Sequence, residues 1–167
     1  MKTVKDIERL ARRQGQVVTI REQDTAATAA RRMTDSDVGA LVVLDSNSRA
    51  SGIVSERDII KKVVGQTGNP ARTSVADIMS TRIISCTLDT TITRAQRLMT
   101  AHNIRHLPII EDDVPVGMLS SRDLLAFQLT RTKAVARRQS VLLDHIEREH
   151  PELARWRYDG TGRIIID

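Results

Sequence analysis

A seven-residue string occurs twice in this chain, and no other feature limits its fold so tightly. Gly52-Ile53-Val54-Ser55-Glu56-Arg57-Asp58 returns as Gly117-Met118-Leu119-Ser120-Ser121-Arg122-Asp123. Two copies of one supersecondary unit in a short chain pack on each other, because a single unit leaves an apolar face uncovered. The match extends upstream. Ala29 pairs with Ala95, Met33 with Met99, Thr34 with Thr100, Val38 with Ile104 and Leu41 with Leu107, at a constant offset of 66. The offset drops to 65 across the turn where Asp45–Ser51 faces the shorter Glu111–Val116, a length change that surface loops tolerate. Further back, Val4-Lys5-Asp6-Ile7 matches Val75-Ala76-Asp77-Ile78 at an offset of 71.

A chain of 167 residues suits one compact domain, or two small repeats sharing a core. Apolar residues make up 40% of it and aromatics only 2%, so that core must be aliphatic. No apolar run approaches the ~20 residues that span a bilayer, and Met1–Asp6 lacks the apolar heart of a signal peptide. The single cysteine cannot form an internal disulfide. A cytoplasmic protein without membrane association is expected.

A net charge of +5 and a pI near 10.0 raise the question of nucleic acid. Basic residues are interleaved with acids, as in Arg57-Asp58, Arg122-Asp123 and Glu147-Arg148-Glu149. One Trp, one Tyr and one Phe leave little for bases to stack on. Both points argue against nucleic acid. Attraction of a phosphate-bearing small ligand is the more economical use of the charge.

Apolar Val4, Ile7, Leu10 and Ala11 suggest an amphipathic helix over 3–13, ended by Gly15. Val17–Ile20 reads as a short strand. Asp24 or Thr25 then caps a helix reaching about Thr34. Ala40-Leu41-Val42-Val43-Leu44 should be a strand covered on both faces. A polar turn leads to strand Gly52–Val54, and Ser55 starts a helix to about Val64 whose Glu56 complements the dipole. Gly65-Gln66-Thr67-Gly68-Asn69-Pro70 marks the linker. The second copy repeats the order, with strand Ile83–Cys86, helix Thr91–Ala101, strands His106–Ile110 and Pro115–Leu119, and a helix from Ser121.

The expected fold is α/β (α+β), two β-α-β-β-α repeats packed with pseudo-two-fold symmetry. The first repeat takes 1–66, the linker 67–74, the second repeat 75–129 and a C-terminal extension 130–167. The helix from Ser121 can continue to about His150, since no Gly or Pro precedes Pro151. Its stripe of Leu125, Leu129, Ala136, Leu143 and Ile146 suits packing on a partner more than a coiled coil. After the turn Asp159-Gly160-Thr161-Gly162, Ile164–Ile166 reads as a terminal strand in need of an edge, for which a neighbouring subunit is one source.

Ser55 and Ser120 stand at strand-to-helix junctions, where unpaired N–H groups and the helix dipole favour an anion. Asp58 and Asp123 follow one helical turn later on the same face. A carboxylate so placed can accept two hydrogen bonds from a ribose diol. Arg57 and Arg122 supply forked donors suited to phosphate. The same residues are also ordinary helix-start chemistry, so the pattern gains weight from occurring twice.

These residues resemble the CBS domain family, in its tandem-pair or Bateman form, over about residues 3–129. The resemblance rests on the β-α-β-β-α order, on Ile104-Arg105-His106-Leu107-Pro108-Ile109, and on Gly, two spacers, Ser, two spacers, Asp in both copies. It implies a regulatory role, a homodimer and an adenosine ligand: AMP, ADP, ATP, NAD(H) or S-adenosylmethionine. The roles it implies give ribose to Asp58 and Asp123. Phosphate falls to Ser55 and Ser120, beside the forked donors Arg57 and Arg122 already read from the residues, and adenine to the surroundings of Thr19, Ile20, Ser85 and Cys86. The second copy has Arg105-His106 where the first has Gly39-Ala40. Relatives that bind phosphorylated nucleotides place basic residues there, so Arg105 and His106 join the phosphate set, unless they are a solvated strand edge.

His145 and His150 point about 140° apart on a helix and make a poor metal pair. Cys86 reads as a small buried apolar group, and Asp112-Asp113 as turn residues. No catalytic grouping emerges, so no enzyme, required cofactor or metal site is expected. The competing reading is a ligand-free dimerisation scaffold that meets an unknown effector protein through its extension.

Overall fold

The computed structural model describes residues 2–7, 17–149, 156–158 and 164–166. Residues Met1–Leu124 and Leu125–Asp167 form two compact units. The first holds the first repeat and most of the second. Its strand β1 (Thr19–Arg21) is followed by α1 (Ala26–Ser36), β2 (Ala40–Leu44), β3 (Ala50–Ser55) and α2 (Glu56–Lys62). After a 3-10 turn at Val64–Gln66 come α3 (Val75–Ile78), α4 (Ile92–His102), β4 (His106–Glu111), β5 (Val114–Ser120) and the start of α5 (Ser121–Glu149). Strands β1-β2-β3 make one sheet, with β1 parallel and β3 antiparallel to β2. Strands β4 and β5 make an antiparallel pair.

Local chemistry explains the matching boundaries. The Thr25 hydroxyl caps α1 by accepting from the Thr28 amide at 3.2 Å, and Thr91 caps α4 by accepting from Arg94 at 3.2 Å. The two helices end at Asp37 and Asn103, both at φ 51, a left-handed conformation that short polar side chains tolerate. Strand β2 is buried on both faces, as its unbroken aliphatic run predicts. Ile20, Ala29, Met33, Leu41, Val43, Val54 and Ile59 build the core of the first repeat. Leu107, Ile109 and Leu119 occupy equivalent places in the second.

The repeats exchange their leading turns. Thr3 bridges Thr91, and the pseudo-equivalent Ser74 bridges Thr25. Val75 and Ile78, which follow the linker, complete the hydrophobic core of the first repeat. The linker itself is bonded down: Pro70 accepts from the Ala27 amide at 2.9 Å, and Asn69 from Thr73 at 3.0 Å.

Three expectations need correction. The stretch 3–13 is not helical where it is described: Val4–Asp6 forms a 3-10 turn and Ile7 is extended. The Val4 and Lys5 amides are drawn instead to Thr90 and Leu88 of the second repeat, at 2.9 and 3.0 Å. Residues 8–16 lie outside the described residues. The strand expected at Ile83–Cys86 is reduced to one parallel bridge between Cys86 and Ile109. The Cys86 amide donates to the Pro108 carbonyl and the Ile110 amide to Cys86, both at 2.9 Å. Pro108 has no N–H with which to extend that ladder.

The third correction falls in the second unit, where Ile164–Ile166 (β7) finds its edge within the chain. It pairs antiparallel with Trp156–Tyr158 (β6), Arg157 opposite Ile165, so no neighbouring subunit is needed to supply that edge. The turn at 159–162 and His150 lie outside the described residues. Helix α5 runs unbroken to Glu149 and leaves Leu125, Leu129, Val135, Val141 and Leu142 exposed. Among the described residues no helix is long and apolar enough to cross a membrane.

Candidate functional site

Each serine of the repeated string closes a reciprocal cap with its aspartate. The Ser120 amide and hydroxyl donate to Asp123 Oδ2 at 2.9 and 2.5 Å, and the Asp123 amide donates back to Ser120 Oγ at 3.2 Å. Ser55 and Asp58 do the same at 3.0, 2.6 and 3.4 Å. So do Ser74 and Asp77, at the start of α3, at 3.2, 2.6 and 3.2 Å. The Thr3 amide and hydroxyl also donate to Asp6, at 2.8 and 3.2 Å. A hydroxyl residue with Asp three positions on therefore starts helical turns at four places in this chain. Spacing by itself does not mark a ligand site.

A cavity of about 720 Å³ separates one of these caps from the rest. Ser120, Ser121, Arg122 and Asp123 line it from the start of α5, with Arg105 and His106 from the start of β4. The first repeat supplies the facing wall: Val17 and Val18 ahead of β1, Asp37, Val38 and Gly39 between α1 and β2, and Glu56 at the start of α2. The cavity thus joins the cap of one repeat to the strand entrances of the other. Its volume falls in the range of small-molecule and cofactor sites.

The charges are mixed. Asp123 is only 6% exposed, whereas Arg105, Arg122 and Glu56 reach solvent. His106 is half-buried, and burial holds its pKa below 6.5; Arg105 and Arg122 push the same way, while Glu56 and Asp123 oppose. Neutral imidazole at pH 7 can donate one hydrogen bond and accept another. The His106 ring and the Glu56 carboxylate converge over Gly39, where an added Cβ would lie 3.1 Å from His106 Cε1 and 3.2 Å from Glu56 Oε2. The smallest side chain leaves room for both.

Of the residues singled out from sequence, Arg105, His106, Ser120, Arg122 and Asp123 come together in this cavity. Ser55, Arg57 and Asp58 are not among the residues that line it. Asp58 Oδ1 instead lies 3.2 Å from the Lys62 ammonium. Thr19 and Ile20 are in β1, where Ile20 is core and the Thr19 carbonyl accepts from Arg32 at 2.7 Å. Ser85 is exposed. Cys86 is buried, and burial together with Glu111 pushes its thiol pKa up to about 12.

Sequence reasoning passed over the facing wall of Val17, Val18, Asp37, Val38 and Gly39, and gave Glu56 only a helix-start role. Gly39 stands where the second copy has Arg105, and that difference between copies was the available signal. Among the described residues no group of three His, Cys, Asp or Glu side chains comes together as a metal would require.

The comparisons with known proteins follow the same geometry. The CBS domain family matches residues 4–65 and again 75–130. The mitochondrial CBS domain-containing protein CBSX3 of Arabidopsis thaliana is 39% identical over 106 residues, covering 61% of this chain and 52% of that protein. The chain spans about half, or less, of the length of the first curated relatives it matches. Among solved structures, a CBS-domain protein of Agrobacterium tumefaciens is similar at a TM-score of 0.70 and 30% identity, over 76% of this chain and 99% of its own. A hexameric CBS-CP12 protein of bloom-forming cyanobacteria is similar at 0.66 and 27% identity, over 75% of this chain and 70% of its own. Two family matches on two copies of one supersecondary unit have a single reading: the chain belongs to the CBS domain family and carries a tandem pair of its domains.

Proposed function

We propose that this CBS pair is a regulatory sensor that binds an adenosine nucleotide in the cavity between its repeats. The observation that carries the reading is the meeting of Arg105, His106, Ser120, Arg122 and Asp123 in one cavity of nucleotide size. Arg122 and Arg105 offer forked donors to phosphate, with His106 beside them. Asp123 stands where it can accept from a ribose diol. Val17, Val18 and Val38 offer the apolar wall an adenine ring needs. The ligand class is AMP, ADP, ATP, NAD(H) or S-adenosylmethionine, and the role is regulatory rather than catalytic. Binding acts on a partner by favouring one arrangement of the repeats, to the extent that the ligand's affinities for two arrangements differ.

A homodimer in the cytoplasm is part of the same proposal. Ile60 in α2 and Val64 in the 3-10 turn after it are 62% and 63% exposed; their repeat equivalents Leu125 and Leu129 are 57% and 53% exposed. Apolar residues left exposed at the same two positions of each copy favour association through each copy by itself. A second reading, a ligand-free scaffold, draws support from Val135, Val141 and Leu142, which stay exposed further along α5.

Thermal-shift titration of the protein with AMP, ADP, ATP, NAD, NADH and S-adenosylmethionine, repeated on Asp123→Ala, tests the proposal. A ligand at about 100 times its dissociation constant adds about 2.7 kcal/mol of stability. A shift from one ligand, lost in the variant, supports the sensor. If no ligand shifts nucleotide-free protein, and removing residues 130–167 abolishes partner binding, the scaffold stands instead.

A further inference from the structure

At two equivalent places the copies carry different charge on the same backbone. Each copy brings the entrance of its middle strand beside the start of its last helix and ties them with one hydrogen bond. The Glu56 amide donates to the Gly39 carbonyl at 3.2 Å, and the Ser121 amide to the Arg105 carbonyl at 2.9 Å. The first copy therefore puts an acid at the helix start and no side chain at the strand entrance. The second puts a base at the strand entrance and a neutral serine at the helix start. All four residues line the cavity.

Glu56 faces the second copy's candidate phosphate donors there. A Cβ on Gly39 would lie 3.2 Å from both Glu56 Oε2 and His106 Nε2, so carboxylate and imidazole meet across the space that Gly39 leaves. Of the described charged groups around His106, Arg105, Arg122 and Asp123 come from the second copy and Glu56 from the first. Glu56 and Arg105 both reach solvent, so water and salt weaken the carboxylate's repulsion of an anion without removing it.

We propose that Glu56 limits the negative charge this site accepts, so that the cavity prefers AMP to ATP. Phosphates drawn to Arg105, His106 and Arg122 come up against its carboxylate, and each added phosphate raises that repulsion. The inference rests on the nucleotide reading above and deepens it. The second copy supplies the attraction, and the first copy sets its limit.

Isothermal titration of the full chain and of Glu56→Gln with AMP, ADP and ATP, in EDTA and again in excess Mg²⁺, tests this. In EDTA the wild type should bind AMP more tightly than ADP, and ADP more tightly than ATP. Glu56→Gln should tighten ATP about fivefold and AMP less than about twofold, narrowing the preference. Loss of the carboxylate's favourable place at the start of α2 would shift every nucleotide alike and leave the ratio untouched. An unchanged AMP-to-ATP ratio in Glu56→Gln overturns the inference, while the binding itself upholds the nucleotide reading. Tighter wild-type binding of ATP than of AMP in EDTA overturns it too. So does ATP binding that Glu56→Gln weakens only in Mg²⁺, which would make the carboxylate a holder of the metal instead. If none of the three binds either protein, the inference fails, and the thermal-shift series with NAD, NADH and S-adenosylmethionine decides the nucleotide reading separately.

Discussion

The Val75 amide donates to the Asp24 carbonyl at 2.8 Å, tying the first residue of α3 to the turn before α1. By sequence Val75 belongs to the second copy, yet its side chain is fully buried in the core of the first. The leading turn at Val4–Asp6 makes the reverse crossing onto Thr90 and Leu88. Neither repeat has a finished core without a piece of the other. Val75→Ala should therefore cost about 2 kcal/mol, the scale for a truncated core aliphatic. Urea unfolding should stay a single transition; separate transitions for the two repeats would contradict the exchange.

Burial should set apart caps that look identical on paper. Asp123 is 6% exposed, whereas Asp77 is exposed, although both accept the same pair of hydrogen bonds from the serine three residues before. Asp123→Ala should cost about 2 kcal/mol, because the part-buried amide and hydroxyl of Ser120 lose their charged acceptor. Asp77→Ala should cost about 1 kcal/mol, since water replaces the lost cap. Parallel urea titrations of the two variants would reveal equal losses if burial were irrelevant.

His106 should give stability a mild dependence on pH. Burial, aided by Arg105, holds its folded pKa below the ordinary 6.5, so below that value the unfolded chain binds the proton more readily. Stability then falls as pH drops from about 6.5 toward the folded pKa, and this contribution levels off beneath it. His106→Gln should show a smaller difference in urea midpoint between about pH 7.5 and about pH 5.5. A variant with the wild-type slope would remove His106 from this account.

Cys86 should be inert in the folded chain. Its thiol is buried and its pKa stands at about 12, so thiolate is scarce at neutral pH. A disulfide exchange reagent at about pH 8 should label it only after denaturant is added. Prompt labelling of the native protein would mean that the segment around Cys86 opens readily.

Much of the local structure was legible in the residues themselves. The duplicated string announced two β-α-β-β-α units, and the Thr25 and Thr91 caps and the aliphatic run Ala40–Leu44 marked elements the structure contains. These features depend on neighbours a few positions away, which is the range over which capping and hydrophobic alternation act. The failures came where a distant partner competes. The turn at Val4–Asp6 gives its amides to another repeat, and Pro108 withholds the donor that a strand at Ile83–Cys86 needs. The candidate site divides in the same way. Ser120, Arg122, Asp123, Arg105 and His106 could be named from the repeat and from the difference between its copies. Their wall of Val17, Val18, Asp37, Val38, Gly39 and Glu56 could not be assigned to them.

By itself, then, the sequence determined that there are two alike units, where their helices begin, and which residue types could meet a phosphate. The tertiary structure decided which remote segments meet the Ser120–Asp123 cap to enclose a cavity. The reason is physical: a cap is satisfied within four residues of chain, whereas a cavity exists only where remote segments converge.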